Sequence, residues 1–234
     1  MATVVITGGS RGIGAAAVKL FAARGDRVVF LYEKNHDAAQ AVAAKTGAEA
    51  ICCDVADSRA VQAAFAQIGD VDILINSAGI ITGNKTFDKV DISEIDRTML
   101  INAIAPMYVA RVVLPDMLSH RQGHICNITS AGGMLGNPRM AVYGASKWAA
   151  IGWSDSVRIE QQEQKSNVHV TTITPYYINT GMFDGVKSPI IPILKPEYVS
   201  KRIIRAIEKN LIFRGIPFGL HFIRFWQFIL PIPV

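Results

Sequence analysis

Apolar positions along the chain recur in two rhythms. Short, largely continuous Val/Ile-rich runs at 3–6, 27–31, 49–53, 72–75, 124–129 and 169–174 predict six strands covered on both faces. Alanine-rich segments between them carry apolar residues at helical spacing and predict helices over 12–24, 38–45, 58–68, 93–118, 142–162 and 197–209. Asp37, Asp57 and Asp91 stand where side-chain caps of three of these helices belong. The alternation predicts one α/β domain over residues 1–216, a parallel sheet sandwiched between helix layers. In such a sheet ligands bind beyond the carboxyl ends of the strands, so the residues that follow each strand are the ones to read for chemistry.

The first strand runs into Thr7, Gly8, Gly9, Ser10, Arg11, Gly12, Ile13 and Gly14, and then into an alanine-rich helix. Glycines there allow a tight turn and bring backbone N–H groups against a pyrophosphate, while the helix N-terminus supplies partial positive charge. A dinucleotide cofactor is predicted. At Tyr32, where the second strand ends, no Asp is present to accept hydrogen bonds from an adenosine ribose; Arg11 and Lys34 instead offer cations to a 2′-phosphate. Glu33 would oppose that phosphate if it pointed inward. NADP(H) is therefore favoured, with NAD(H) as the alternative. Asp54 and Val55 close the third strand, where the aspartate either accepts from an adenine amino group or caps the next turn. Asn76, Ala78 and Gly79 close the fourth, a turn in which small residues let the backbone pass close to a cofactor.

Tyr143 and Lys147 lie four residues apart on a predicted helix, hence on one face. A free phenol has a pKa near ~10, and an adjacent ammonium favours its ionised form. The pair is expected to make an acidified phenol that protonates a carbonyl oxygen as hydride reaches the carbon. Ser130, just beyond the fifth strand, is placed to donate to the same oxygen.

Composition narrows the partners. The 24 Lys+Arg against 19 Asp+Glu give a net charge of +5, and no dense basic run is interleaved with aromatics, which argues against nucleic acid. Cys52, Cys53 and Cys126 form no CxxC pair and read as reduced core residues, and the five histidines lack ligand spacing, so no metal is expected. The opening strand begins almost at Met1, without the basic and apolar regions of a signal peptide, and a cytoplasmic location is expected.

With TGGSRGIG at 7–14, NSAG at 76–79, Asn102, Ser130, Tyr143 and Lys147 in this order and spacing, the chain resembles the short-chain dehydrogenase/reductase family over essentially its whole length. The resemblance implies a Rossmann-type, doubly wound parallel sheet of seven strands with helices on both faces, and an NAD(P)(H) cofactor. It implies a catalytic tetrad of Asn102, Ser130, Tyr143 and Lys147, in which Lys147 also contacts the nicotinamide ribose and Asn102 holds a water in a proton relay. It further implies that Pro175, Ile178 and Thr180 cup the nicotinamide, and that the protein is a homodimer or homotetramer. Tyr176 departs from the pattern, standing where the family carries Gly after that proline. A 3-oxoacyl-carrier-protein reductase and a catalytically idle NADP(H)-binding scaffold are the alternatives.

Residues 217–234 form an apolar tail whose Phe218 to Leu230 stretch, at 13 residues, is too short to span a bilayer. Its Phe, Trp and Leu side chains with His221 and Arg224 suit an interfacial helix or a dimer-packing one, and the strand-and-glycine ending of bacterial family members is not expected. Together with 179–183, the tail looks similar to the retinol and 17-beta-hydroxysteroid dehydrogenase branch that acts at membranes and lipid droplets. That similarity implies peripheral membrane contact and a small lipophilic ketone, aldehyde or alcohol substrate entering near the apolar 182–194 loop.

Overall fold

The computed structural model describes residues 1–81, 85–182, 188, 191–220, 222 and 229. The first half of the chain forms β1 (Thr3–Thr7), α1 (Gly12–Ala23), β2 (Arg27–Tyr32), α2 (His36–Thr46), β3 (Glu49–Cys52), α3 (Ser58–Ile68) and β4 (Ile73–Asn76). The second forms α4 (Ile92–Met99), α5 (Ala105–Ser119), β5 (Gly123–Ile128), α6 (Ala141–Glu163), β6 (Val168–Pro175), α7 (Pro196–Glu208) and β7 (Phe213–Ile216). Seven strands build one sheet in the order β3-β2-β1-β4-β5-β6-β7, with all neighbours parallel. Winding reverses between β1 and β4, which opens a crevice at their carboxyl ends.

Two cores explain the continuous apolar runs. Phe21, Phe30 and Ile203 pack on the face covered by α1 and α7, and Leu74, Val109 and Ile125 on the face covered by α3 and α5. Central strands β1 and β2 are therefore buried on both sides, whereas edge strand β3 is half exposed. Cys52 lies on that edge and is exposed, a correction to its assignment as a core residue; Cys53 and Cys126 are buried, and all three are free.

Three further expectations change. The seven strands implied by the resemblance are all present, but the last lies where no closing strand was expected: β7 pairs with β6 through Thr172 to Pro175, although 213–216 was too short to stand out as a run. The first turn of α2 is capped by Asn35, which accepts from Ala38 N–H at 2.9 Å, while Asp37 sits inside that turn. Asp57 caps α3, accepting from Arg59 and Ala60 N–H, and Glu94 accepts from the Asp91 N–H at the start of α4.

The third change matters for the site, because the expected 93–118 helix is interrupted. A π-helical turn, Leu100–Ile104, separates α4 from α5 and has Asn102 at its centre. Pro106 has no N–H to give the Asn102 carbonyl at α-helical spacing and its ring crowds that carbonyl, so the ladder widens and Ala105 N–H reaches back to Leu100. The whole stretch Ile92–Ser119 is long and apolar enough by composition to cross a membrane, yet Val109, Val113 and Met117 pack on the sheet.

Candidate active site

At the carboxyl ends of β1, β2 and β4 lies a cleft of about 370 Å³. Its floor is the turn after β1. Gly8 has φ +70, a conformation that favours glycine, and Gly8 and Gly9 N–H both donate to the Leu31 carbonyl at 2.9 and 3.1 Å. A β-carbon at Gly14 would strike the Gly8 carbonyl, so the helix can begin this close to the turn only with glycine. Arg11 occupies the N-cap of α1 without a side-chain hydrogen bond to the first turn. The partial positive charge of that terminus is thus directed into the cleft, which suits a pyrophosphate.

Most of the predicted dinucleotide residues gather here. Gly8, Ser10, Arg11, Gly12, Ile13 and Gly14 line the cleft with Tyr32 and Lys34 after β2, Asp54 and Val55 after β3, and Ala78 and Gly79 after β4. Pro175, Ile178 and Thr180 close the opposite wall, and Thr180 packs so that a β-carbon on Gly12 would sit 3.1 Å from its Cγ2. The close turn, the uncapped helix start and the facing polar groups fit an NAD(P)(H) dinucleotide.

Two predicted residues do not line the cleft. Thr7 is buried, and its hydroxyl accepts from the Ser77 and Ala78 N–H groups, each at 3.0 Å, which holds the β4 turn against β1. Asn76 is also buried and turns away, its Nδ2 donating to Asn127 Oδ1 at 2.9 Å. Both shape the walls. Asp54 faces the cleft and also accepts from Ala56 N–H at 2.9 Å, so the two alternatives read from its position are compatible.

At the far end of the cleft stand Ser130, Tyr143 and Lys147. Helix α6 carries Tyr143 and Lys147 one turn apart, both buried. The Ser130 hydroxyl accepts from Gly132 N–H at 3.1 Å and hydrogen-bonds the Tyr143 phenol. Lys147 Nζ donates to the Ile128 carbonyl at 3.2 Å and lies 5.8 Å from the Tyr143 ring centroid.

Burial governs both pKa values. It pushes the Tyr143 phenol up to about 12, against the Ser130 hydrogen bond that lowers it, and pushes Lys147 down to about 8. The expected acidified phenol is thereby corrected: the ammonium rests over the ring and on the Ile128 carbonyl, and desolvation of the phenol outweighs the Ser130 hydrogen bond that favours its ionised form. The charged lysine is the destabilised partner.

Asn102 sits behind the cleft and is buried. Its Oδ1 accepts from Ile80 N–H at 2.8 Å, and its Nδ2 donates to the Ile80 carbonyl at 2.8 Å and to Ser146 Oγ at 3.1 Å. Ser146 in turn donates to the Tyr143 carbonyl at 2.7 Å. Asn102 therefore ties the turn after β4 to the helix that bears Tyr143, and its amide is engaged in doing so.

Sequence reasoning missed Ser146, whose spacing three residues after Tyr143 was the available signal, and Ile80, which carried none. It also missed Arg97, which pairs with Glu33 across 64 residues. Tyr176, the departure after Pro175, keeps the strand path by donating its N–H to the Ile216 carbonyl at 2.8 Å. Its ring lines the cleft and meets Tyr177 edge-on at 4.7 Å, so the substituted glycine becomes an aromatic wall.

Comparison with known proteins agrees with this geometry. Residues 2–190 match the family model for short chain dehydrogenases. Epidermal retinol dehydrogenase 2 of Mus musculus is 35% identical over 243 residues, covering 98% of this chain and 78% of the relative. Retinol dehydrogenase 10-B of Danio rerio is 33% identical over 189 residues, 76% of this chain and 56% of the relative. Among solved structures, a short-chain dehydrogenase from Sphingobium yanoikuyae in complex with NADPH superposes with a TM-score of 0.85 at 24% identity, covering 98% of this chain and 92% of that one. With its seven-stranded parallel sheet and these relatives, the chain belongs to the short-chain dehydrogenase/reductase family, on its retinol dehydrogenase-like branch, and is an oxidoreductase.

Proposed function

We propose that the protein interconverts a lipophilic ketone or aldehyde and its alcohol, with Tyr143 as the acid and base. One observation carries this reading. Tyr143 lines the dinucleotide cleft and also a second hollow of about 250 Å³, whose walls include Leu135, Met140 and Trp148. A phenol shared by a cofactor cleft and an apolar hollow is placed to serve a carbonyl whose hydrophobic body occupies the latter.

A nicotinamide held in this cleft would supply or accept the hydride. Tyr143, even at about 12, remains a far stronger acid than a developing alkoxide's conjugate acid, near that of water at about 15.7, so proton donation runs downhill. Ser130 shares that oxygen and orients it. Lys147, at about 8, is charged at neutral pH and can restore the phenol's proton.

NADP(H) is the preferred form in this reading, supported by Arg11 and Lys34 in the cleft and by the NADPH carried by the Sphingobium relative. Peripheral membrane contact through 217–234 is part of the proposal, together with a cytoplasmic location. Most of that tail lies outside the described residues, and its described Phe218, Phe222 and Ile229 are 58%, 51% and 55% exposed. Exposed Trp148 and Ile159 on α6 support assembly as a homodimer or homotetramer.

The test is a panel of retinoid, steroid and short-chain ketones and aldehydes, with acetoacetyl thioesters alongside, read by NADPH absorbance. Turnover led by the lipophilic carbonyls is expected; turnover confined to thioesters, or none, would overturn the substrate class.

A further inference from the structure

The adenosine end of the cleft carries a charge arrangement that the glycine turn does not explain. Glu33, the first residue past β2, lines the cleft. A single oxygen, Oε1, takes two cations: Lys34 Nζ at 2.8 Å and Arg97 Nη2 at 3.0 Å. Together they hold the carboxyl below the usual carboxylate range, led by the Lys34 hydrogen bond. Oε2 has no ion-pair partner among the described residues. Arg97 comes from α4 and is not itself part of the lining. Arg11 does line the cleft and, among the described residues, has no ion-pair partner.

These groups set up a conflict. A carboxylate after β2 suits a ribose 2′-hydroxyl, which it accepts from, and repels a 2′-phosphate. Lys34 makes the larger share of that neutralisation, but its side chain is 75% exposed, against 51% for Arg97, so solvent screens it more. Arg97 adds a second cation from a different element, α4, and its Nη2 meets the same Glu33 oxygen at 3.0 Å.

We propose that Arg97 is a positioning residue for cofactor choice, acting through Glu33: it cancels the carboxylate's charge so that a 2′-phosphate can lie beside Arg11, while Glu33 Oε2 stays available to a ribose 2′-hydroxyl. The cleft then admits both phosphorylated and unphosphorylated dinucleotides, with Arg97 tilting it toward the former. This inference rests on the NAD(P)(H) reading above. Partly exposed pairs of this kind contribute little to folding, so the effect falls on ligand choice and leaves stability nearly unchanged.

Dissociation constants for NADPH and NADH, read by quenching of protein fluorescence, test it in wild type, Arg97→Gln, Glu33→Gln and the double variant. Arg97→Gln is expected to weaken NADPH about fivefold to tenfold and to change NADH by less than about twofold. Glu33→Gln is expected to tighten NADPH and weaken NADH, and in that background Arg97→Gln has little further effect. Arg97→Lys restores most of the NADPH affinity. An Arg97→Gln loss equal for both cofactors, or one of full size in the Glu33→Gln background, overturns the proposal. Wild-type protein that binds neither dinucleotide overturns the NAD(P)(H) reading itself, an outcome distinct from a changed ratio.

Discussion

Lys147 should destabilise the fold that contains it. The residue is 6% exposed, and burial moves its ammonium from 10.5 down to about 8, a penalty of about 3 kcal/mol on the charged form. Its hydrogen bond to the Ile128 carbonyl offsets part of this. Methionine has a similar length and no charge, so Lys147→Met is predicted to raise stability at neutral pH by about 1–3 kcal/mol while abolishing turnover. For a chain of 234 residues that is a Tm increase of about 2–6 °C.

The pH dependence gives a second signature. The unfolded lysine keeps its proton up to 10.5 and the folded one releases it near 8, so between these values the unfolded state binds more protons. Wild-type stability gains from this residue as pH rises through that window, and the advantage of Lys147→Met shrinks accordingly. Tyr143, raised to about 12, acts in the opposite direction only above ~10, where the unfolded phenol ionises first. Urea denaturation of both proteins at about pH 7 and about pH 9.5 checks the reasoning. A Lys147→Met protein less stable than wild type at neutral pH, or two curves that stay parallel, would refute an electrostatic cost at this position.

Two further outcomes follow from the packing. Asn102→Ala removes three hydrogen bonds and strands Ile80 and Ser146 groups, so urea denaturation is expected to show a loss of about 2–4 kcal/mol, with weaker NADPH binding; unchanged stability would contradict the clamp. Gly14→Ala drives a β-carbon into the Gly8 carbonyl, and fluorescence titration is expected to show NADPH affinity reduced at least about tenfold in a chain that still folds, whereas retained affinity would remove the turn from the site.

What could be read from the sequence was local. The turn after β1 declared itself because its glycines, strand and helix are consecutive, and Tyr143 with Lys147 because helical spacing puts them on one face. The sheet's continuous apolar strands followed from burial on both faces. Effects that depend on tertiary surroundings were not legible. Asn76 has the composition of a turn residue, yet its side chain bonds Asn127 on a neighbouring strand. The π turn at Asn102 is different, since its signal was local and passed over: apolar periodicity runs through it, but Pro106 lacks an N–H and crowds the Asn102 carbonyl. Spacing predicted that Lys147 would acidify Tyr143, but the degree of desolvation that reverses the result appears only once α6 is packed against the sheet. The Glu33 and Arg97 pair joins the residue just past β2 to one on α4, which no short motif relates.

The account rests on the Tyr143 hydroxyl as the group that exchanges a proton with the substrate oxygen. Reduction of a lipophilic aldehyde by wild type and Tyr143→Phe, followed by NADPH absorbance with cofactor affinity measured on the same samples, tests this most directly. The prediction is a fall in kcat/KM of about 10²–10⁴-fold with the NADPH dissociation constant unchanged within about twofold. Turnover by Tyr143→Phe at the wild-type rate would contradict it.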